Sequence, residues 1–156
     1  DGRKVAGFLT TGGGPENHYE AYTDDLLELG RWHHLAMTYD GSVLTVYVDG
    51  REAAAKKIDK ERTPGSTSLD IGRRQDGYIY FQGRIDAVRL YDRALSAEEV
   101  KKNAAATGSA DSQNKVVAKG LVGHWGFDET PVVLPEVEKV ISKAGVLPEY
   151  QDLLEQ

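Results

Sequence analysis

The chain of 156 residues has no cysteine, which excludes disulfides and thiolate metal ligands. It has no long apolar run either: hydrophobic stretches last only a few residues, far short of the ~20 that span a bilayer. Cations are in deficit, with 19 Lys and Arg against 25 Asp and Glu and a net charge of −6. Lys56-Lys57, Arg73-Arg74 and Lys101-Lys102 are isolated pairs rather than the clustered basic face that a phosphate backbone needs, so nucleic acid is disfavoured. The four histidines include no His-Glu-x-x-His spacing, and adjacent His33 and His34 face opposite ways on any strand. His18 and His124 stand alone and read as structural or surface residues. No Gly-x-Ser-x-Gly is present. Gly12-Gly13-Gly14 lacks a following Gly-Lys-Ser/Thr, and Pro15 has no N–H to donate, so this is a flexible turn rather than a phosphate loop.

What is present is a succession of short strand-like runs. The length fits one domain, or one domain with a short appendage, and suffices to bury a core without staples. Residues 32–50, WHHLAMTYDGSVLTVYVDG, hold two alternating runs rich in β-branched and aromatic residues, each ending in Asp-Gly. Glycine takes positive φ without steric cost, so both Asp-Gly pairs read as turns of an antiparallel meander. The carboxylates of Asp40, Asp49 and Asp76 are expected to cap backbone N–H groups there. Further strands are expected at 5–9, 19–22, 51–58, 69–72, 78–81 and 81–91, with turns at Pro64-Gly65 and Asp76-Gly77.

The period then changes. Ser96 with Glu99 three residues on is a capping box opening a short helix to about Ala106, with Gly108 as its stop. A small, polar linker follows over 108–119, and LVGHWGFD at 121–128 returns to strand. From Pro135, Val137, Val140, Ile141 and Ala144 keep helical spacing, Gly145 ends that helix, and a last short helix runs from Pro148. The expected architecture is all-β: a two-sheet antiparallel sandwich over residues 1–107, a short helix after the last core strand, and a helical tail over 131–156. Asp1-Gly-Arg-Lys reads as the interior of a longer protein, with the sandwich's first strands upstream.

RWHHLAMTYDGSVLTVYVDG, then LDIGRR, then FQGRIDAVRLYDRALSAEEVKKN, resembles the concanavalin A-like laminin-G/pentraxin superfamily, and in particular the bacterial LamG-type jelly-roll domains. The matching positions are Trp32, His34 and Ala36, then 39–41, 47–50, Ile71-Gly72 and 83–96. Such domains begin with a strand of the type Gly-Leu-Val-x-x-Trp-x-Phe-Asp-Glu. Here that motif comes late, at 120–129, either completing the sandwich from the C-terminal side or starting a truncated second copy. The tail is similar to the ends of some bacterial polysaccharide-processing proteins. The resemblance thus implies the C-terminal part of a larger bacterial secreted protein, placed outside the cell, at its surface or in the periplasm.

Hydrolases of this fold place two acids at alternate positions of one strand, about 5 Å apart for retention. No such run occurs: Asp24-Asp25 are adjacent, and Glu98-Glu99 sit at a helix start where the dipole favours them. A non-catalytic carbohydrate-binding or surface-recognition module is therefore expected, with a structural spacer, or a hydrolase of the same fold, as alternatives. Its partners would be a glycan or cell-surface molecule and the upstream domains of the parent, without nucleic acid or membrane insertion. Sugar binding needs exposed aromatic faces with amide, acid or Arg partners, and Asn17, Tyr22, Arg73, Arg74, Asp76 and Tyr78 are the candidate set. The resemblance also implies a structural calcium on Asp86, with Asp128 beside it if the Trp125 strand pairs there. The alternative is that Asp86 merely hydrogen-bonds a turn.

Overall fold

The computed structural model describes residues 4–12, 15–62, 69–73, 80–106 and 116–127. Two compact units divide the chain, residues 1–125 and 126–156; of the second only Gly126 and Phe127 are described. The turns expected at Pro64-Gly65 and Asp76-Gly77, most of the linker and the helical tail lie outside the described residues.

Strands β1 (Ala6–Thr10) and β2 (His18–Tyr22) form an antiparallel hairpin through a 3-10 turn at Pro15–Asn17. Ala6 lies opposite Tyr22, Phe8 opposite Glu20 and Thr10 opposite His18. Side chains alternate between faces, so Leu9 and Ala21 go inward while Phe8, Thr10, His18, Glu20 and Tyr22 stay outside. Thr23 closes the open end: its hydroxyl accepts from the Val5 N–H (3.1 Å) and donates to the Asp25 carbonyl (2.9 Å).

The meander follows as β3 (Leu35–Tyr39), β4 (Val43–Val48) and β5 (Arg51–Lys57), in the order β3-β4-β5. The first of these strands begins at Leu35 rather than Trp32. Asp40 Oδ1 accepts from the N–H groups of Ser42 and Val43, both at 2.8 Å, which fixes the first turn. Asp49 (φ 51°) and Gly50 (φ 76°) are both left-handed, the conformation a two-residue type I′ hairpin requires between paired Val48 and Arg51. Asp49 Oδ1 instead accepts from the His34 N–H (2.9 Å), tying this turn back to the start of β3. Val46 pairs with Ala54 but Tyr47 with Glu52, so Ala53 is an extra, bulged residue on β5.

Both faces of β4 are buried. On one, Leu44 and Val46 meet Leu9 and Ala21 of the hairpin, with Tyr39, Ala54 and Ile58 around them. Gly7 permits this approach, because a Cβ there would stand 2.7 Å from Val46 Cγ2. On the other face Tyr47 meets Leu95, Val100 and Val117. Leu44, Val46 and Val100 are almost wholly enclosed, each stabilising the fold by about 1.5–3 kcal/mol relative to exposure. The result is an antiparallel β-sandwich of hairpin on meander, with a helical layer behind it.

That layer holds β6 (Val88–Tyr91), α1 (Ala97–Ala105) and β7 (Leu121–Trp125). The capping box forms as expected: Ser96 Oγ accepts from the Glu99 N–H and Glu99 Oε2 from the Ser96 N–H (2.9 Å). Arg93 grips the Glu99 carboxylate with two bonds (2.7 and 2.6 Å) and the Lys119 carbonyl with two more (3.2 and 3.0 Å). Val117, within the expected linker, is buried. Its N–H donates to Asn103 Oδ1 (2.9 Å), its carbonyl accepts from Tyr91 OH (2.9 Å), and Asn103 Nδ2 donates to Tyr91 OH (3.0 Å). From there the chain runs antiparallel along β6, Trp125 opposite Val88.

Two expected strands are reduced. At 69–72 only an isolated bridge, Arg73 to Tyr80, remains, and the run at 81–91 is extended only in β6. Gly72 (φ 82°) and Ala87 (φ 52°) are left-handed, which breaks an extended ladder at both places.

Candidate functional site: the outer face of the first hairpin

Exposed aromatic rings gather on the outer face of β1–β2. Phe8 and Tyr22 are each 49% exposed, and the His18 side chain 46%. Phe8 faces Glu20 across the ladder, so its diagonal neighbours are residues 18 and 22, within reach of aromatic side chains. The Phe8 ring centroid accordingly lies 5.8 Å from that of His18, tilted by 37°, and 5.9 Å from that of Tyr22, edge-on at 83°. On β2 the alternate positions His18, Glu20 and Tyr22 make a file beside it.

The polar atoms of this face are already organised. His18 Nδ1 lies 3.2 Å from Thr10 Oγ1, and Nε2 lies 3.4 Å from Glu20 Oε1. The Glu20 carboxylate, as hydrogen-bond partner, holds the Tyr22 phenol above its ordinary value. The face therefore offers one wholly apolar ring, two rings with polar tips, and one carboxylate. Such a surface can stack on a sugar's C–H face while its rim exchanges hydrogen bonds with hydroxyls. Among the described residues, the outward positions of β1 and β2 carry one acid, Glu20, rather than the pair that glycoside cleavage uses.

Of the candidate set the structure describes Asn17, Tyr22 and Arg73. Tyr22 lies in the patch. Asn17 sits at the far end of the hairpin, its Oδ1 accepting from Lys60 Nζ (2.9 Å), and that ammonium also lies 5.5 Å from the Tyr19 ring centroid. Arg73 spends its guanidinium on Asp70 (3.1 Å) in its own segment. Arg74, Asp76 and Tyr78 lie outside the described residues. Phe8, Glu20 and Thr10 are additions to the set. Phe8 shares strand parity with polar Thr10, while Leu9 shares it with Gly7; that alternation was the signal that Phe8 points outward.

Asp86 is exposed, and Asp128 lies outside the described residues. Among the described residues no three acidic or histidine side chains come together to hold a metal ion.

A second polar cluster lies at the start of β3. His33 Nδ1 meets Asp49 Oδ2 (2.8 Å) and His33 Nε2 meets the Glu28 carbonyl (3.0 Å). Both ring nitrogens face acceptors, which suits the imidazolium, and the bond to Asp49 raises the His33 pKa. Burial pushes the Asp49 carboxyl up, but the bonds from His33 and His34 outweigh it and the net shift is downward. Next door, burial and then nearby Arg89 push His34 down. These groups tie the β4–β5 turn to β3 and present no open acid–base pair.

The antiparallel pairing of hairpin and meander around one core defines the class: a β-sandwich module. The chain belongs to the concanavalin A-like lectin/glucanases superfamily, whose laminin G family model matches residues 2–101. It is similar to the mouse pentraxin-related protein PTX3, 30% identical over 131 residues, covering 75% of this chain and 32% of that protein. A rat Sushi, von Willebrand factor type A, EGF and pentraxin domain-containing protein 1 is 31% identical over 119 residues, covering 66% of this chain and 3% of its own length. The chain thus spans about a third of the PTX3 relatives it matches. Among solved structures, an S-layer domain-containing protein from Clostridium thermocellum aligns with 65% of this chain and 51% of its own, at 27% identity and a TM-score of 0.44. Among the described residues no helix is long and apolar enough to cross a membrane.

Proposed function

We propose that this chain is a non-catalytic recognition module that binds glycan through the outer face of β1–β2, as part of a larger extracellular protein. The observation that carries the reading is the row His18, Phe8, Tyr22: three half-exposed rings, with Phe8 packed between the other two opposite the Glu20 carboxylate. Family membership supports a recognition role. The single acid on the face supports the absence of hydrolysis.

Affinity gel electrophoresis against soluble polysaccharides tests it. A ligand covering about half of the exposed Phe8 surface would gain about 1–2 kcal/mol from that ring. Phe8→Ala is therefore expected to weaken retardation by roughly five- to thirtyfold while the melting temperature stays close to wild type. Retardation by no polysaccharide would leave a structural spacer as the reading, and turnover of a β-glucan would replace it with an enzyme.

A further inference from the structure

We infer that the β1–β2 face discriminates by charge, accepting neutral glycans and rejecting acidic ones such as uronates and sulfated sugars, with Glu20 as the discriminating residue. This rests on the glycan reading above and names the class of sugar.

The argument starts from where Glu20 stands. It is directly opposite Phe8 in the ladder and between His18 and Tyr22 on its own strand, so it occupies the middle of the ring patch. Its side chain is 41% exposed, open to whatever lies on the rings. Its recorded partners, the His18 ring and the Tyr22 phenol, are not permanent cations. Lys60, a cation at the hairpin's turn, is engaged there with Asn17 and the Tyr19 ring. At the open end the register, continued past the strands, sets Lys4 opposite Asp24, so one charge of each sign stands there. Glu16 beside the turn only adds negative charge, as does the chain's net −6.

A pyranose stacked on Phe8 would bring its substituents to within about 5 Å of the Glu20 carboxylate. For a hydroxyl this is favourable, because an ionised carboxylate is a strong acceptor. For a second anion it is repulsive. Two like charges at this separation, at an effective dielectric between that of water and that of a protein surface, weaken binding roughly tenfold.

The test uses matched pairs of soluble polysaccharides that differ in charge: hydroxyethyl cellulose with carboxymethyl cellulose, and dextran with dextran sulfate. The whole chain should bind a neutral member about tenfold more tightly than its acidic partner at low salt. Glu20→Gln should close that gap by improving the acidic member alone. The same gap should close in the wild-type chain near 1 M salt, where the Debye length falls to about 3 Å, so the inference stays testable if the variant folds poorly. An acidic member bound as tightly as its neutral partner would overturn the charge selection and leave glycan binding standing. A gap unchanged by both Glu20→Gln and salt would remove Glu20 from the role. Binding to no member of any pair would overturn both readings.

Discussion

Replacing Asn103 by alanine removes a side chain that bonds both the N-terminal side of the β7 segment and the end of β6. Asn103 is 4% exposed on α1; its Oδ1 takes the buried Val117 N–H at 2.9 Å and its Nδ2 donates to Tyr91 OH at 3.0 Å. With alanine there, the Val117 N–H stays buried without an acceptor, which costs about 1–3 kcal/mol. Alanine's better helix propensity returns about 0.5 kcal/mol. The net expected loss is about 1.5 kcal/mol, which at a urea m-value of about 2 kcal/mol/M moves the midpoint down by about 0.75 M. Urea unfolding followed by fluorescence of Trp32 and Trp125 measures it, since Trp125 lies in β7. Tyr91→Phe should cost about 1 kcal/mol, and the double variant should lose less than the sum, because Asn103, Tyr91 and Val117 form one closed network. An Asn103→Ala midpoint within about 0.2 M of wild type, or a strictly additive double variant, would refute the view that this network seats the segment.

Gly7→Val should destabilise by about 1–3 kcal/mol in the same assay, since a Cβ there meets Val46 Cγ2 at 2.7 Å and Met37 Sδ at 3.1 Å. Arg93 holds Glu99 down to about 2 from 4.5, so the stability this supplies is full above pH 4.5 and disappears as pH falls towards 2. Arg93→Met should therefore flatten acid unfolding across that window, and an unchanged acid limb would count against the ion pair. His33 and His34 act in opposite senses. The raised His33 stabilises fully below pH 6.5 and loses that contribution as pH climbs through its higher folded value, whereas the lowered His34 favours folding above 6.5 and opposes it as pH falls. His33→Gln should thus make stability rise more steeply with pH near neutrality and His34→Gln less steeply, as read from melting temperatures between about pH 5 and 8, on either side of the ordinary histidine value.

Much of the local architecture was legible from residue order alone. The Asp49-Gly50 hairpin needs two left-handed residues, and Asp-Gly is the dipeptide that tolerates them. The Ser96–Glu99 box closes over three residues, so it forms whatever the rest of the chain does. The alternation in 43–48 placed β4, and the ordered motifs pointed to the family whose model spans residues 2–101. These features depend on backbone preferences and on neighbours a few positions apart.

Contacts across long separations needed the tertiary structure. Val117 read as linker because Val116-Val117-Ala118 is too short an apolar run to mark a core position; Asn103, 14 residues earlier, and Tyr91, 26 earlier, make it one. The strand expected at 81–91 shrank to β6 because Ala87 took a left-handed conformation that no local rule demanded. Tyr22 was singled out on chemistry, but Phe8 and Glu20 joined it only through the hairpin register, which sets residues 8 and 20 opposite each other. Residue types decided that this chain would fold as turns, strands and one capped helix. Cross-strand pairing, which residue order constrains only by parity, decided which rings face water together and so where a ligand can lie.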